Sequence, residues 1–355
     1  MQLPGDWRWD DSIRDFAGLA ANVERFAARQ SGGQTVLAML GQVDRVREAG
    51  IGELLADQRP DGLPASAVRH ISFWGNAYHP VMTLLKNARH LIHLCLLHKM
   101  IPPHPMGLVL PMAGRPGAVR AWLDTQPWKY PWGIGNIAMD TGLLLLFEWK
   151  VMGNAPARDA LEEWFDWHDE NQDPASGFWD PAGTGDMRNI MAGGMHQMAI
   201  YWLCDRPLKY PERAARTTIA LQCDNGLFNP PTLGQNCLDI DAAFVMTNLY
   251  HRYGVCEGEI ERAMERMIAP TLKLFVPEGG VVNRGGVDRQ PDWWSTQCRV
   301  SVIGWASRML GITEFADGPW DFTPRGVFLS ESGGKGLPPI DSDAWYDAVD
   351  WPRAG

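Results

Sequence analysis

Gln172-Asp-Pro-Ala-Ser-Gly177-Phe178-Trp179 closes one helix-like stretch and opens another, and its plan recurs along the chain. Gln222-Cys-Asp-Asn-Gly226-Leu227-Phe228 and Pro277-Glu278-Gly279-Gly280-Val281 are two further copies. Each brings a glycine and a hydrophobic residue to the start of a new apolar helix. The glycines stand about 50 residues apart, the period of a helix-pair repeat array. Gln58-Arg-Pro-Asp-Gly62-Leu63 is a degraded fourth member.

On either side of these turns the segments alternate in character. Residues 135–152, 189–203, 237–250 and 296–310 are nearly uncharged, with Leu143-Leu-Leu-Leu-Phe147 in the first. Residues 156–171, 210–221 and 258–275 carry charge on one face, and 115–126 is a shorter helix of the same kind. A helix that is apolar all round must be surrounded by protein, and one with a charged face belongs at the surface. The alternation predicts an all-α fold, an (α/α) toroid of five or six helical hairpins in which the apolar set is parallel and central. Ahead of it, residues 10–30 and 34–49 are amphipathic, forming a helical layer over 1–60, and 73–98 is a longer apolar stretch stopped by Pro102 and Pro103. The domain expected is 1–315, with its clearest repeats over 130–311. Residues 316–355, rich in Pro and Gly, read as an irregular tail packed on it.

Composition narrows the partners. A hydrophobic content of 45% over 355 residues supplies a large core. The net charge of −10 leaves no basic stripe, which argues against nucleic acid and anionic membrane surfaces. Residues 1–11 lack the basic and apolar regions of a signal peptide, no apolar run reaches spanning length, and the six cysteines form no C-x-x-C pair. These features lead to the expectation of a cytoplasmic protein with reduced thiols and a small-molecule partner, apolar or glycan.

The turns, together with Cys237-Leu-Asp239-Ile-Asp241-Ala-Ala243, resemble the repeat shared by terpenoid cyclases of the squalene-hopene type and the β subunits of protein prenyltransferases. The resemblance spans residues 130–310 and implies the toroid. In the cyclases an Asp-x-Asp-Asp-Thr-Ala segment, at the N-terminal end of an inner helix, supplies the protonating acid. The matching stretch here keeps the first two carboxylates and has Ala242 in place of the third. Prenyltransferase zinc ligands come as Asp-x-Cys with a distant His, whereas this chain reads Cys237-x-Asp239. Cys237, Cys298 and His196 also resemble the zinc set of toroidal lanthionine cyclases, but the Gly-Trp-Cys and Cys-His-Gly motifs of that family are absent. No metal and no cofactor is therefore expected. His90, His93, His98 and His104 lack an accompanying carboxylate and read as packing residues.

Inner-helix N-termini, where free N–H groups converge, are where a site is expected. Asp241, Asp239 and His196 are the candidate catalytic residues. Asn136, Asp140, Asn189, Cys237, Gln297 and Arg299, with Trp132, Trp202, Trp294 and Trp305 as aromatic lining beside Trp293, are the candidate binding residues. Asp239, near a helix start, is also expected as a cap, which would make Asp239→Asn mild. Asp241 is the better proton donor, or else the anchor of Arg299. Gly193-Gly194 ahead of His196 suggests close packing or backbone approach to a ligand. Three functions fit: an acid-initiated cyclase or isomerase with Asp241 as donor, a glycoside hydrolase or uronate lyase using Asp140, Asp239 or Asp241 with His196, and a non-catalytic binding ring.

Overall fold

A computed structural model describes residues 8–29, 58, 88, 92, 101–229, 237–283 and 290–316. Its elements are α1 (Phe16–Ala27), α2 (Ala118–Asp124), α3 (Pro131–Lys150), α4 (Ala155–Asn171), α5 (Met187–Leu203), α6 (Pro211–Ala220), α7 (Cys237–Tyr253), α8 (Glu257–Leu272), α9 (Trp293–Leu310) and α10 (Thr313–Ala316). Among the described residues β pairing is confined to isolated bridges, so the fold is all-α. The helix expected at 34–49, the turn around Gly62 and the tail beyond 316 lie outside the described residues, as does the stretch 73–98 apart from Ala88 and Ile92, which are helical and buried. No described helix is long and apolar enough to cross a membrane.

The helices fall into two compact units, one holding α2 to α5 and the other α1 and α6 to α10. In the first, α3 and α5 are buried at nearly every position, while α4 buries one face through Ala157, Leu161, Trp164 and His168. Pro131 at the start of α3 needs no amide partner there. A Cβ on Gly135 would fall 2.3 Å from the carbonyl oxygen of Gly193, and one on Gly142 would meet Ile200. Both contacts advance by seven residues, so the two helices run parallel. Trp164 on α4 donates its Nε1–H to the Ala138 carbonyl at 3.0 Å, binding the outer helix to the inner one. One turn along α4, Trp167 donates to Asp124 at 2.7 Å and stacks on Trp128 at 5.0 Å.

The second unit repeats the plan. Here α7 and α9 are the buried pair, and α8 turns Ile260, Ala263, Met264 and Met267 inward. Cys237 meets Trp294, Asp239 meets Arg299, and Phe244 meets Trp305, again a parallel register. The start of α9 falls at Trp293 rather than the expected 296. Asp292 is the reason: its side chain accepts the Ser295 amide at 2.8 Å and captures three more residues as a first turn. Within α8, Pro270 sits near the C-terminal end, and the helix closes at Leu272 rather than at the expected 275.

The three repeated turns share one geometry, each joining a half-exposed helix to a buried one. Asp173 N–H donates to Phe178 O at 2.7 Å, Cys223 N–H to Leu227 O at 2.8 Å, and Val276 N–H to Gly280 O at 3.0 Å. Gly177, Gly226 and Gly279 take φ of 78°, 86° and 100°, in the left-handed region that side chains resist. The glutamines latch the turn from within: Gln172 Nε2 donates to Gly177 O at 2.8 Å and Gln222 Nε2 to Gly226 O at 2.9 Å. The third copy has no glutamine. Asn22 of α1 serves instead, donating to Val276 O at 2.9 Å and accepting from the Gly280 amide at 2.7 Å.

Candidate functional site

In the second unit, the first two turns of α7 and α9 bring together Cys237, Asp239, Asp241, Trp294, Cys298 and Arg299, with Gln297 on the same stretch of α9. Parallel registration does this, because it aligns both N-terminal ends. Arg299 Nη1 lies 2.6 Å from Asp239 Oδ2, and both side chains are removed from solvent. Asp239 Oδ1 also accepts the Phe228 amide at 2.6 Å, and the Asn229 amide adds a further bond. Burial pushes the Asp239 carboxyl up from its ordinary range, while Arg299 and the two amides pull against that.

This corrects the expected cap. Asp239 ties the turn at Phe228–Asn229 to α7, rather than capping the first amides of its own helix, and it holds the guanidinium that Asp241 was the candidate to anchor. Asp241 is 2% exposed on the same helix. In its ionised form Asp241, like Arg299, acts on the thiol of Cys298, which places all three in one neighbourhood. Burial, with the hydrogen bond to Cys237, holds the Cys298 thiol well above its ordinary value. Trp294 donates Nε1–H to Cys237 Sγ at 2.8 Å. Arg299 Nε and Gln297 Oε1 are buried without a hydrogen-bond partner among the described residues, so they offer a donor and an acceptor to a polar group of a ligand or to water.

The remaining candidates belong to the first unit. Asn189 works at the start of α5, where its amide and side chain both bond Asp186, at 3.4 and 2.6 Å. Asn136 bonds back to the Trp132 carbonyl at 3.0 Å. Asp140 and His196 are buried on α3 and α5. The two glycines before His196 serve packing: Gly193 lies on the Pro131 carbonyl and Gly194 under the Phe178 ring. Trp202 is fully buried and Trp305 packs on Phe244, whereas Trp132 and Trp294 are half-buried and Trp293 is exposed.

His104, the described member of the histidine cluster, exchanges backbone bonds with the Gln58 side chain, and His90, His93 and His98 lie outside the described residues. Among the described residues no group of three or more His, Cys, Asp or Glu is arranged to hold a metal.

One buried titratable residue escaped the sequence reading. His168 stacks on Trp164 at 3.6 Å, and its Nδ1 lies 2.7 Å from the Trp164 carbonyl, which can only accept. The ring is therefore neutral with its proton on Nδ1, and burial pushes its pKa down to about 3. Its spacing from Trp164, four residues on the inward face of α4, was the available signal. Comparison with known proteins returned nothing: no family model matches the chain, and neither the curated proteins nor the solved structures contain a significant match.

Proposed function

We propose that the chain is an enzyme acting on an apolar small molecule by acid-initiated cyclisation or isomerisation, with Asp241 as proton donor. The proposed framework is an (α/α) toroid of five or six hairpins. The observation that carries the reading is the division between the two carboxyls of Cys-Leu-Asp-Ile-Asp: Asp239 is engaged by Arg299 and two turn amides, and Asp241 is a second buried carboxyl on the same helix. A general acid must hold its proton at neutral pH, and burial favours the neutral carboxyl. Protonation of an alkene or epoxide carbon by Asp241 leaves a carbocation, which aromatic faces such as the half-buried Trp294 stabilise.

The half-buried ring of Trp294 with the exposed Trp293 beside it favours a second reading, a carbohydrate-active enzyme in which tryptophan faces stack on sugar rings. One experiment separates the two. The protein and Asp241→Asn are incubated with linear isoprenoid alkenes and epoxides, and separately with oligosaccharides and uronates, and products are read by mass spectrometry. Cyclised or isomerised isoprenoids from the wild type, lost by at least a hundredfold in a folded Asp241→Asn, are expected from removal of a general acid, which contributes on the order of 100- to 10,000-fold. Sugar products, or isoprenoid turnover that survives in Asp241→Asn, overturn the assignment. Binding without turnover of any substrate returns the chain to a non-catalytic role.

A further inference from the structure

Cys237 is the first residue of α7, a helix of 17 residues, so its sulfur lies at the end where the helix dipole is positive. Two donors are directed at that sulfur. Trp294 Nε1–H donates at 2.8 Å, and the thiol of Cys298, one turn further along α9, is hydrogen-bonded to it. Cys298 is the proton-holding member of the pair, being 1% exposed against 8% for Cys237. The arrangement thus has one sulfur supplied with donors and nearer solvent, and a second, protonated sulfur touching it from the neighbouring helix.

We propose that Cys237 is a nucleophilic cysteine modified by small hydroperoxides, with Cys298 as its resolving thiol. The Cys237 thiolate attacks the terminal peroxide oxygen; an S–O bond forms, the O–O bond breaks, and the departing alkoxide or hydroxide takes a proton from solvent. Cys237 is left as a sulfenic acid. Cys298 then gives up its proton and attacks the Cys237 sulfur; the S–S bond forms, the S–O bond breaks, and the hydroxide leaves with that proton as water. Two thiols and one hydroperoxide become one disulfide, one alcohol or water, and one further water. The two thiols are neighbours on the facing sides of α7 and α9, so closing to a disulfide length of about 2.05 Å falls to the side chains of two helices held in register. Cys204, a half-buried thiol whose pKa desolvation pushes up to about 12, is an internal standard for an unreactive cysteine.

The test uses the full-length reduced protein, hydrogen peroxide as probe, and peptide mapping after remaining thiols are alkylated. A linked peptide joining Cys237 to Cys298 is expected, lost on adding a dithiol reductant. Cys298→Ser is expected to stop at a sulfenic acid on Cys237, trapped by a cyclic diketone, and Cys237→Ser to leave Cys298 unoxidised. Trp294→Phe keeps both thiols and removes one donor, so Cys237 oxidation is expected to slow about fivefold, the effect of one hydrogen bond. This variant decides the matter if a serine variant fails to fold. Oxidation of Cys237 no faster than Cys204, a sulfenic acid on Cys298 in Cys237→Ser, or an unchanged rate in Trp294→Phe would overturn the proposal.

Discussion

Asp239→Asn removes the charge facing Arg299 Nη1 and leaves a buried guanidinium uncompensated. The expected loss of stability is about 3–5 kcal/mol, the cost of breaking a buried pair by deleting one partner. Asp241→Asn leaves that pair intact and is expected to cost about 1 kcal/mol. Denaturant unfolding of the two variants checks the order, and an Asp241 variant that loses as much as the Asp239 variant would remove the pair as the dominant anchor. The sequence order of effects was the reverse, with Asp239 as a forgiving cap. Positions 239 and 241 point in different directions from a helix, but their spacing says nothing about which of them meets residue 299 on another element.

At the scale of elements, the parallel packing of α3 on α5 depends on glycine, because the backbones themselves meet at Gly135 and Gly193. Gly193→Ala places a methyl group 2.3 Å from the Pro131 carbonyl oxygen, which forces the helices apart. Overpacking of this kind costs about 1–3 kcal/mol. Gly258 near the start of α8 is the contrast: a Cβ there finds ordinary contact with Arg262 at 3.4 Å. Gly258→Ala is expected to be neutral or stabilising by up to about 1 kcal/mol, from helix propensity. Thermal melts of both variants test this, and an undisturbed Gly193→Ala would show that the close approach is not required. The glycine pair was visible in the sequence, but whether a helix or a ligand occupied the missing side-chain space required the partner backbone.

Titration tests the molecule as a whole, since His168 can take a proton from solvent only when the core around Trp164 opens. Its folded pKa of about 3 lies below the unfolded value of 6.5, so the unfolded chain binds the proton first between those limits. The contribution of His168 is fully present above pH 6.5 and is lost as pH falls toward 3, by at most about 1.4 kcal/mol per pH unit. Asp10 adds to the acid limb: burial pushes its carboxyl up, but bonds from Asn22 and Ser12 and the charge of Arg25 outweigh this and lower it. Its contribution is present above pH 3.8 and disappears below. Unfolding free energies measured from pH 7 to 4 are expected to fall, and to fall less steeply in a folded His168→Phe variant. An identical slope in the two proteins would show that His168 is not the group responsible.

Local sequence was enough for the alternation of buried and half-exposed helices and for the turns between them. Charge periodicity and left-handed glycines are local properties, and Gly177, Gly226 and Gly279 adopt the backbone their motifs demand. It also singled out Cys-Leu-Asp-Ile-Asp, because two carboxyls at the start of an apolar helix stand out against their surroundings. Tertiary structure alone decided that Asp239 takes Arg299, that Trp294 and Cys298 both donate to Cys237, and that Asn22 completes the turn whose glutamine is missing. Each of these contacts joins residues 57 or more apart, or so arranged across two helices that only the register of one element on another brings them together. Register is set by the packing of whole surfaces, and no local stretch of sequence contains it.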